Sequence, residues 1–123
     1  MLIDSNIIIY ASKPGYGALR RFIADRKPAV SAVSYVEVLG YDKLLPEERH
    51  FLEQFFSLVL ILPLSWDVIE YAVRLRQNRR MTLGDALVAG TALVYNRTLV
   101  TRNINDFIGI DQLSVLNPFD TDF

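Results

Sequence analysis

The residues predict a three-layer α/β/α sandwich around a central, mainly parallel sheet, on three observations. Short apolar, β-branched runs alternate with longer runs of helical periodicity along the whole chain. Several of the short runs lack a polar face, as do strands covered on both sides. One long run, residues 83–95 (LGDALVAGTALVY), is apolar almost all round and reads as a central buried helix.

The elements follow in order. Residues 1–3 are the first strand. The stretch MLIDSNIIIYASK carries Asp4, has no basic leader and is far too short to span a bilayer, so it is read as a buried strand rather than a signal. Residues 16–26 form a helix with Leu19, Phe22 and Ile23 on one face, and residues 29–33 (AVSAV) a second strand. Residues 46–57 open on Pro-Glu-Glu, which suits a helix start, and stack Phe51, Leu52, Phe55 and Phe56. Residues 58–62 (LVLIL) are the third strand. Trp66, Ile69, Ala72, Val73 and Arg76 recur at helical spacing behind Ser65, a suitable N-cap. The helix at 83–95 then leads to strands at 99–101 and 114–116.

Bulk properties narrow the class. A chain of 123 residues without internal repeat, low-complexity tract or Gly/Ser linker is expected to be one domain spanning residues 1–123. Hydrophobic residues at 51% against 22% charged fit a packed globular protein. The absence of cysteine removes disulfide and thiolate-zinc chemistry, so a cytoplasmic location without membrane attachment is the expectation. A net charge of −1 gives no global attraction to a polyanion, and any nucleic-acid contact has to be local. Arg74, Arg76, Arg79 and Arg80 form one basic segment, Arg97 and Arg102 another; Arg20, Arg21, Arg26 and Lys27 read as a solvated helix face.

In a parallel α/β fold, functional groups gather at the carboxyl edge of the strands. Asp4 directly follows the first strand, Glu37 comes just after the second, and Asn103 and Asp106 follow the fourth. Asp85 lies in the first turn of the buried helix, which starts at that edge. Each has a purely structural alternative: Asp4 as the cap of a short helix begun by Ser5 and Asn6, and Ser34 with Glu37 or Thr82 with Asp85 as capping boxes. Three carboxylates in the most apolar stretches of the chain nonetheless call for a positive partner. Two carboxylates about 4 Å apart repel by about 4 kcal/mol at an effective dielectric of about 20. Arg79, Arg80 or Arg102 could offset one charge, whereas a divalent cation offsets more. Oxygen donors without histidine or cysteine suit Mg²⁺ or Mn²⁺. His50, the only histidine, is read as a surface residue. Such a site can activate water for attack on a phosphodiester.

Four segments carry a family resemblance: Leu2-Ile3-Asp4-Ser5-Asn6-Ile7, Ser34-Tyr35-Val36-Glu37-Val38, Gly84-Asp85-Ala86-Leu87-Val88-Ala89, and Leu99-Val100-Thr101-Arg102-Asn103 with Asp106-Phe107. In this order and at this length the chain resembles a PIN-domain nuclease, of the kind that serves as the VapC-like toxin of a toxin–antitoxin pair. The resemblance implies a PIN-like fold and a metal-dependent endoribonuclease in which Asp4, Glu37 and Asp85 coordinate Mg²⁺ or Mn²⁺. It implies that Asn6 holds the first carboxylate and that Thr101 contacts the fourth corner. Many members carry an acidic residue where this chain has Asn103; Asp106, three residues on, is the nearest substitute. Implied partners are an RNA substrate, a second copy of the chain in a homodimer, and a VapB-like antitoxin whose C-terminal segment fills a hydrophobic groove. Tyr35, Tyr41, Phe51, Phe55 and Phe56 are candidates for that groove, with ordinary core as their alternative.

Other readings fit less well. A haloacid dehalogenase-type phosphotransferase needs a second Asp two residues after the first, where this chain has Asn6. A receiver domain needs a phospho-accepting Asp after the middle strand, which here ends in Leu62-Pro63-Leu64, and no Gly-rich turn follows the first strand for a dinucleotide. A PIN-like domain that binds RNA or protein without cutting is the alternative from another class, motivated by Asn103.

Overall fold

The computed structural model describes residues 1–120. Five short strands, β1 (Leu2–Ile3), β2 (Val30–Ser31), β3 (Ile61–Leu62), β4 (Leu99–Val100) and β5 (Val115–Leu116), pair in parallel throughout. β4 sits between β1 and β5, and β2 pairs with β3. The two parts meet where Leu2 bridges Ala29: the Ala29 amide donates to Met1 O at 2.9 Å, and the Ile3 amide to Ala29 O at 3.1 Å. The order is therefore β3-β2-β1-β4-β5. Strands are added in one direction from β1 and then in the other from β4, so the topological switch falls between β1 and β4. The carboxyl ends of strands at such a switch leave a crevice for ligands.

The helices are α1 (Ser5–Ala11), α2 (Gly17–Arg26), α3 (Ala32–Leu39), α4 (Pro46–Leu58), α5 (Trp66–Asn78) and α6 (Leu83–Val94). Successive strand residues point to opposite faces, and here both faces are buried. Ile3, Val30 and Val100 pack with Ile7, Leu19, Val38 and Leu52 from α1 to α4. Leu2, Ala29 and Leu99 pack with Val88, Ala89 and Ala92 of α6 and with Phe107. Burial on two sides accounts for the missing polar alternation. α6 is apolar all round because α5 covers its other side. Gly90 allows that approach: a β-carbon there would meet the Val68 carbonyl oxygen at 2.9 Å and the Tyr71 β-carbon at 3.6 Å.

The expected N-caps are present, Ser65 accepting from the Val68 amide at 3.3 Å and Thr82 from the Asp85 amide at 3.1 Å. The strand expected at residues 1–3 is present at Leu2–Ile3, and the short helix weighed as the alternative role of Asp4 forms from Ser5, with Asp4 as its cap and Ile7, Ile8 and Ala11 buried. One local expectation fails. The second strand stops at Ser31, whose hydroxyl accepts from the Val33 amide at 3.3 Å and starts α3 at Ala32. Ser34 is thus inside the helix, and the Ser34–Glu37 capping box does not form. Of the aromatic residues considered for a groove, Phe56 is core at 5% exposure, and Tyr35 lies on its edge with ring centroids 5.2 Å apart. Tyr41 is exposed just after α3, while Phe51 and Phe55 face an apolar groove between α2 and α4. Among the described residues no helix is long and apolar enough to cross a membrane.

Candidate active site

Asp4 leaves β1 in extended backbone (φ −82°, ψ 172°), and its Oδ1 accepts from the Ile7 amide at 3.0 Å. Capping and membership of the site are therefore not exclusive. The side chain is 6% exposed. Burial raises its pKa above the ordinary carboxylate value, hydrogen bonds from the Thr101 hydroxyl and the Ile7 amide oppose that rise, and the charges of Asp85 and Glu37 add to it. Thr101 ends β4 across the switch point and is fully buried; its Oγ1 also accepts from the Asn103 amide at 3.0 Å. Thr101 thereby ties the first carboxylate to the turn that follows β4.

Glu37 comes from the second turn of α3 and reaches the first turn of α6. Ser5 donates to Glu37 Oε1 at 2.6 Å, and the Ser34 hydroxyl lies 2.9 Å from Ser5 Oγ. The other oxygen, Oε2, fills the space where a β-carbon on residue 84 would stand, and Gly84 has none. The positive end of the α6 dipole favours an anion there.

Asp85 is half-buried. Burial raises its pKa most, Asp106 next, the Thr82 hydroxyl acts against the rise, and Glu37 contributes to it. Asp106 closes a single 3-10 turn at Ile104–Asp106, is exposed, and lines with Asp85 a cleft of about 430 Å³ that also includes Arg80, Thr82 and Asn105. Asp4, Glu37 and Asp85 therefore lie within reach of one another's charge on the carboxyl side of the sheet, and Asp106 within reach of Asp85.

Three arginines were candidates for neutralising this charge. Arg102 is spent on aromatic faces, its guanidinium 5.2 Å from the Tyr10 centroid and 4.6 Å from that of Phe119. Arg79 donates to backbone carbonyls. Arg80 lines the cleft without an ion pair, and among the described residues the one ion pair is Lys13–Glu48 at 3.0 Å. Among the described residues no base forms an ion pair with the cluster. Asn6 and Asn103 are exposed. Asp4 is held by Thr101 and the Ile7 amide, and among the described residues the Asn6 side chain makes no hydrogen bond to it.

Among the described residues no three Asp, Glu, His or Cys side chains form a ready-made ligand set. The chemistry of the donors still fits a hard divalent ion: carboxylate oxygens, desolvated at Asp4 and Asp85, set against like charges, and among the described residues without an ion pair. His50 is exposed on α4 and plays no part. Reading the residues alone missed Ser5, Ser34 and Gly84. Ser5 sits beside Asp4 at a strand-to-helix junction and Gly84 beside Asp85 in a helix first turn, where a glycine has no local purpose; adjacency was the available signal.

A profile of the PIN domain matches residues 1–112. The chain belongs to the PIN-domain family. It is 30% identical to "Ribonuclease VapC1" of Rickettsia felis, the match covering 94% of each chain. It is likewise 30% identical to a chain of a toxin–antitoxin complex from Klebsiella pneumoniae, with a TM-score of 0.77 and coverage of 95% and 96%. A Rickettsia felis VapBC2 structure bound to a promoter DNA fragment, 24% identical, has the same fold at a TM-score of 0.81, covering 94% of this chain and 96% of that one.

Proposed function

We propose that this PIN-domain protein is a metal-dependent endoribonuclease and the toxin of a VapBC-type pair. The observation that carries the reading is that Asp4, Glu37 and Asp85 lie within reach of one another's charge near the switch point, with Asp106 beside Asp85, and that among the described residues none of them is ion-paired to a base. The similarity to a VapC ribonuclease across 94% of the chain supports RNA as the substrate.

Asp4, Glu37 and Asp85, with Asp106 at the fourth corner, would hold Mg²⁺ or Mn²⁺. Such an ion supplies Lewis acidity that activates water and offsets charge on the phosphate. Thr101 orients Asp4, Ser5 orients Glu37 and Thr82 orients Asp85, so each of these three carboxylates has a hydroxyl that fixes its direction. A carboxylate not fully engaged by metal takes the proton of the attacking water. Arg80, at the mouth of the cleft, is placed to meet a substrate phosphate.

The groove between α2 and α4 supports a VapB-like partner. Two adjoining hollows of about 260 and 370 Å³ share Ile23, Ala24 and Phe55, and Phe51 lines the first. An apolar face of an antitoxin segment suits such a lining. Exposed Tyr35 and Val36 on α3 and Trp66, 77% exposed, support self-association into a homodimer.

The test is cleavage of RNA with added Mg²⁺ or Mn²⁺, repeated with chelator and with Asp4→Ala. Metal-dependent cleavage abolished by both is the expected result. The competing reading, a module that binds without cutting, draws on Asn103 and on the lack of a ready-made ligand set. It gains if no RNA tried is cut under any metal. A short reading frame immediately upstream encoding a partner that blocks cleavage is expected for a toxin; its absence points to a housekeeping nuclease.

A further inference from the structure

Arg79 stands at the end of α5 in extended backbone, φ −158° and ψ 160°, where its side chain leaves the helix. Its Nη1 donates to Ile108 O at 2.8 Å and its Nη2 to Asp106 O at 3.2 Å. The two carbonyls flank Phe107, which is 1% exposed and anchors the segment in the core. The other hydrogen bonds of this segment are local: Asp106 amide to Asn103 O at 3.1 Å, and the Phe107 and Ile108 amides to Ile104 O at 2.9 Å each. Among the described residues, the Asn103 amide on Thr101 Oγ1 holds the start of the Asp106 turn, and Arg79 makes the hydrogen bonds that tie its far end to another element of the fold. A guanidinium offers paired donors in a rigid fork, which a lysine ammonium does not.

We infer that Arg79 is a positioning residue for the fourth corner, its fork fixing the 3-10 turn so that Asp106 faces the cleft beside Asp85. The inference rests on the nuclease reading above. It gives a role to the one arginine of the basic segment that bonds to the site's own backbone, and it explains how a carboxylate three residues beyond Asn103 is brought to the cluster. Its consequence has a sign opposite to that of charge. A cation near an ion site repels the ion, so removing Arg79 for its charge alone would tighten metal binding. Removing a clamp loosens it.

The experiment is Mn²⁺ titration by calorimetry into the whole chain: wild type, Arg79→Ala, Arg79→Lys, Asp106→Asn, and the Arg79→Ala/Asp106→Asn double variant. Thermal melts of each without metal report folding separately. Arg79→Ala is expected to weaken Mn²⁺ binding about tenfold, the scale found when a group orienting a metal ligand is lost. Arg79→Lys, which keeps the charge and the alkyl stem, should lose much of the same affinity. Asp106→Asn should match Arg79→Ala, and the double variant should bind no worse than Asp106→Asn alone, because both act through one carboxylate. Unchanged or tighter Mn²⁺ binding in Arg79→Ala and Arg79→Lys overturns the inference, as does a full further loss in the double variant. If wild type binds Mn²⁺ and Asp106→Asn binds it more weakly, yet the Arg79 variants match wild type, the inference alone fails. A wild-type chain that takes up no Mn²⁺ overturns the nuclease reading as well.

Discussion

The Glu37 carboxylate rests against the α-carbon of Gly84, in the volume that a side chain at that position would claim. Helix α6 thus carries a glycine at its second position although nothing in its backbone requires one, and the space saved lets a carboxylate from α3 enter beside Asp85. Gly84→Ala would push against the mobile end of Glu37 rather than against backbone. The fold should therefore tolerate it, with a gain of up to about 1 kcal/mol from the better helix former. RNA cleavage should fall by about 100-fold, since displacement of a catalytic group by an ångström or so has that scale. Parallel melting and cleavage assays check this; an Ala variant with wild-type turnover would remove Glu37 from the site.

Crowding of like charges predicts a gain from neutralisation. Asp85→Asn keeps the shape and an oxygen beside Thr82 while relieving repulsion with Glu37 and Asp106. Because the side chain is only half-buried, solvent screening limits the gain to on the order of 1 kcal/mol, a rise of a few degrees in Tm without metal. Adding Mn²⁺ should raise the Tm of wild type and leave that of the variant nearly unmoved. Differential scanning fluorimetry in chelator and in Mn²⁺ gives both numbers, and equal metal-free melting of the two proteins would speak against a clustered site.

The same crowding has a pH signature. Asp4 and Asp85 have folded-state pKa values raised above 3.8, so between 3.8 and those raised values the folded chain binds more protons than the unfolded one. Their contribution to stability is fully present below 3.8 and is lost as pH rises through the raised values. Metal-free protein should accordingly gain stability as pH falls through those raised values toward 3.8. Glu48 acts in the other sense: the Leu45 amide and Lys13 lower its pKa from 4.5, so its contribution is lost only as pH falls through that lowered value. Metal affinity should weaken over the same upper window, because the ligands must be ionised. Chemical denaturation across pH, in wild type and in Asp4→Asn/Asp85→Asn, separates these effects; a pH slope that survives in the double variant would assign it elsewhere.

The layer order and the meeting of carboxylates were legible because they follow from patterns that span the chain. Unalternated strands require cover on both faces, and a parallel sheet sends every strand end to one edge, so Asp4, Glu37 and Asp85 could be brought together without coordinates. What was illegible was local competition. The run after Asp4 left a strand and a capped helix both open, and the bond from the Ile7 amide to Asp4 selects the helix. In AVSAV the Ser31 hydroxyl ends the strand two residues early and hides α3. Arg102 could not be dismissed as a counter-charge in advance, since its stacking on Tyr10 and Phe119 joins residues far apart in the chain.

Phe55 separates partner binding from chemistry. It belongs to both hollows of the α2–α4 groove, and α4 contributes no side chain to the carboxylate cluster. A partner helix laid in that groove must contact Phe55, and central aromatic residues of this kind contribute most to an interface. Phe55→Glu puts an unpaired charge there, which should weaken antitoxin binding by roughly 2–4 kcal/mol, about 30- to 1000-fold. Being partly exposed, the position should accept the change with only modest loss of stability. Cleavage of RNA by the free variant should stay at the wild-type rate while the antitoxin no longer suppresses it. Full suppression at wild-type antitoxin concentrations would move the partner to another face, and loss of cleavage in the free variant would mean that α4 supports the site after all.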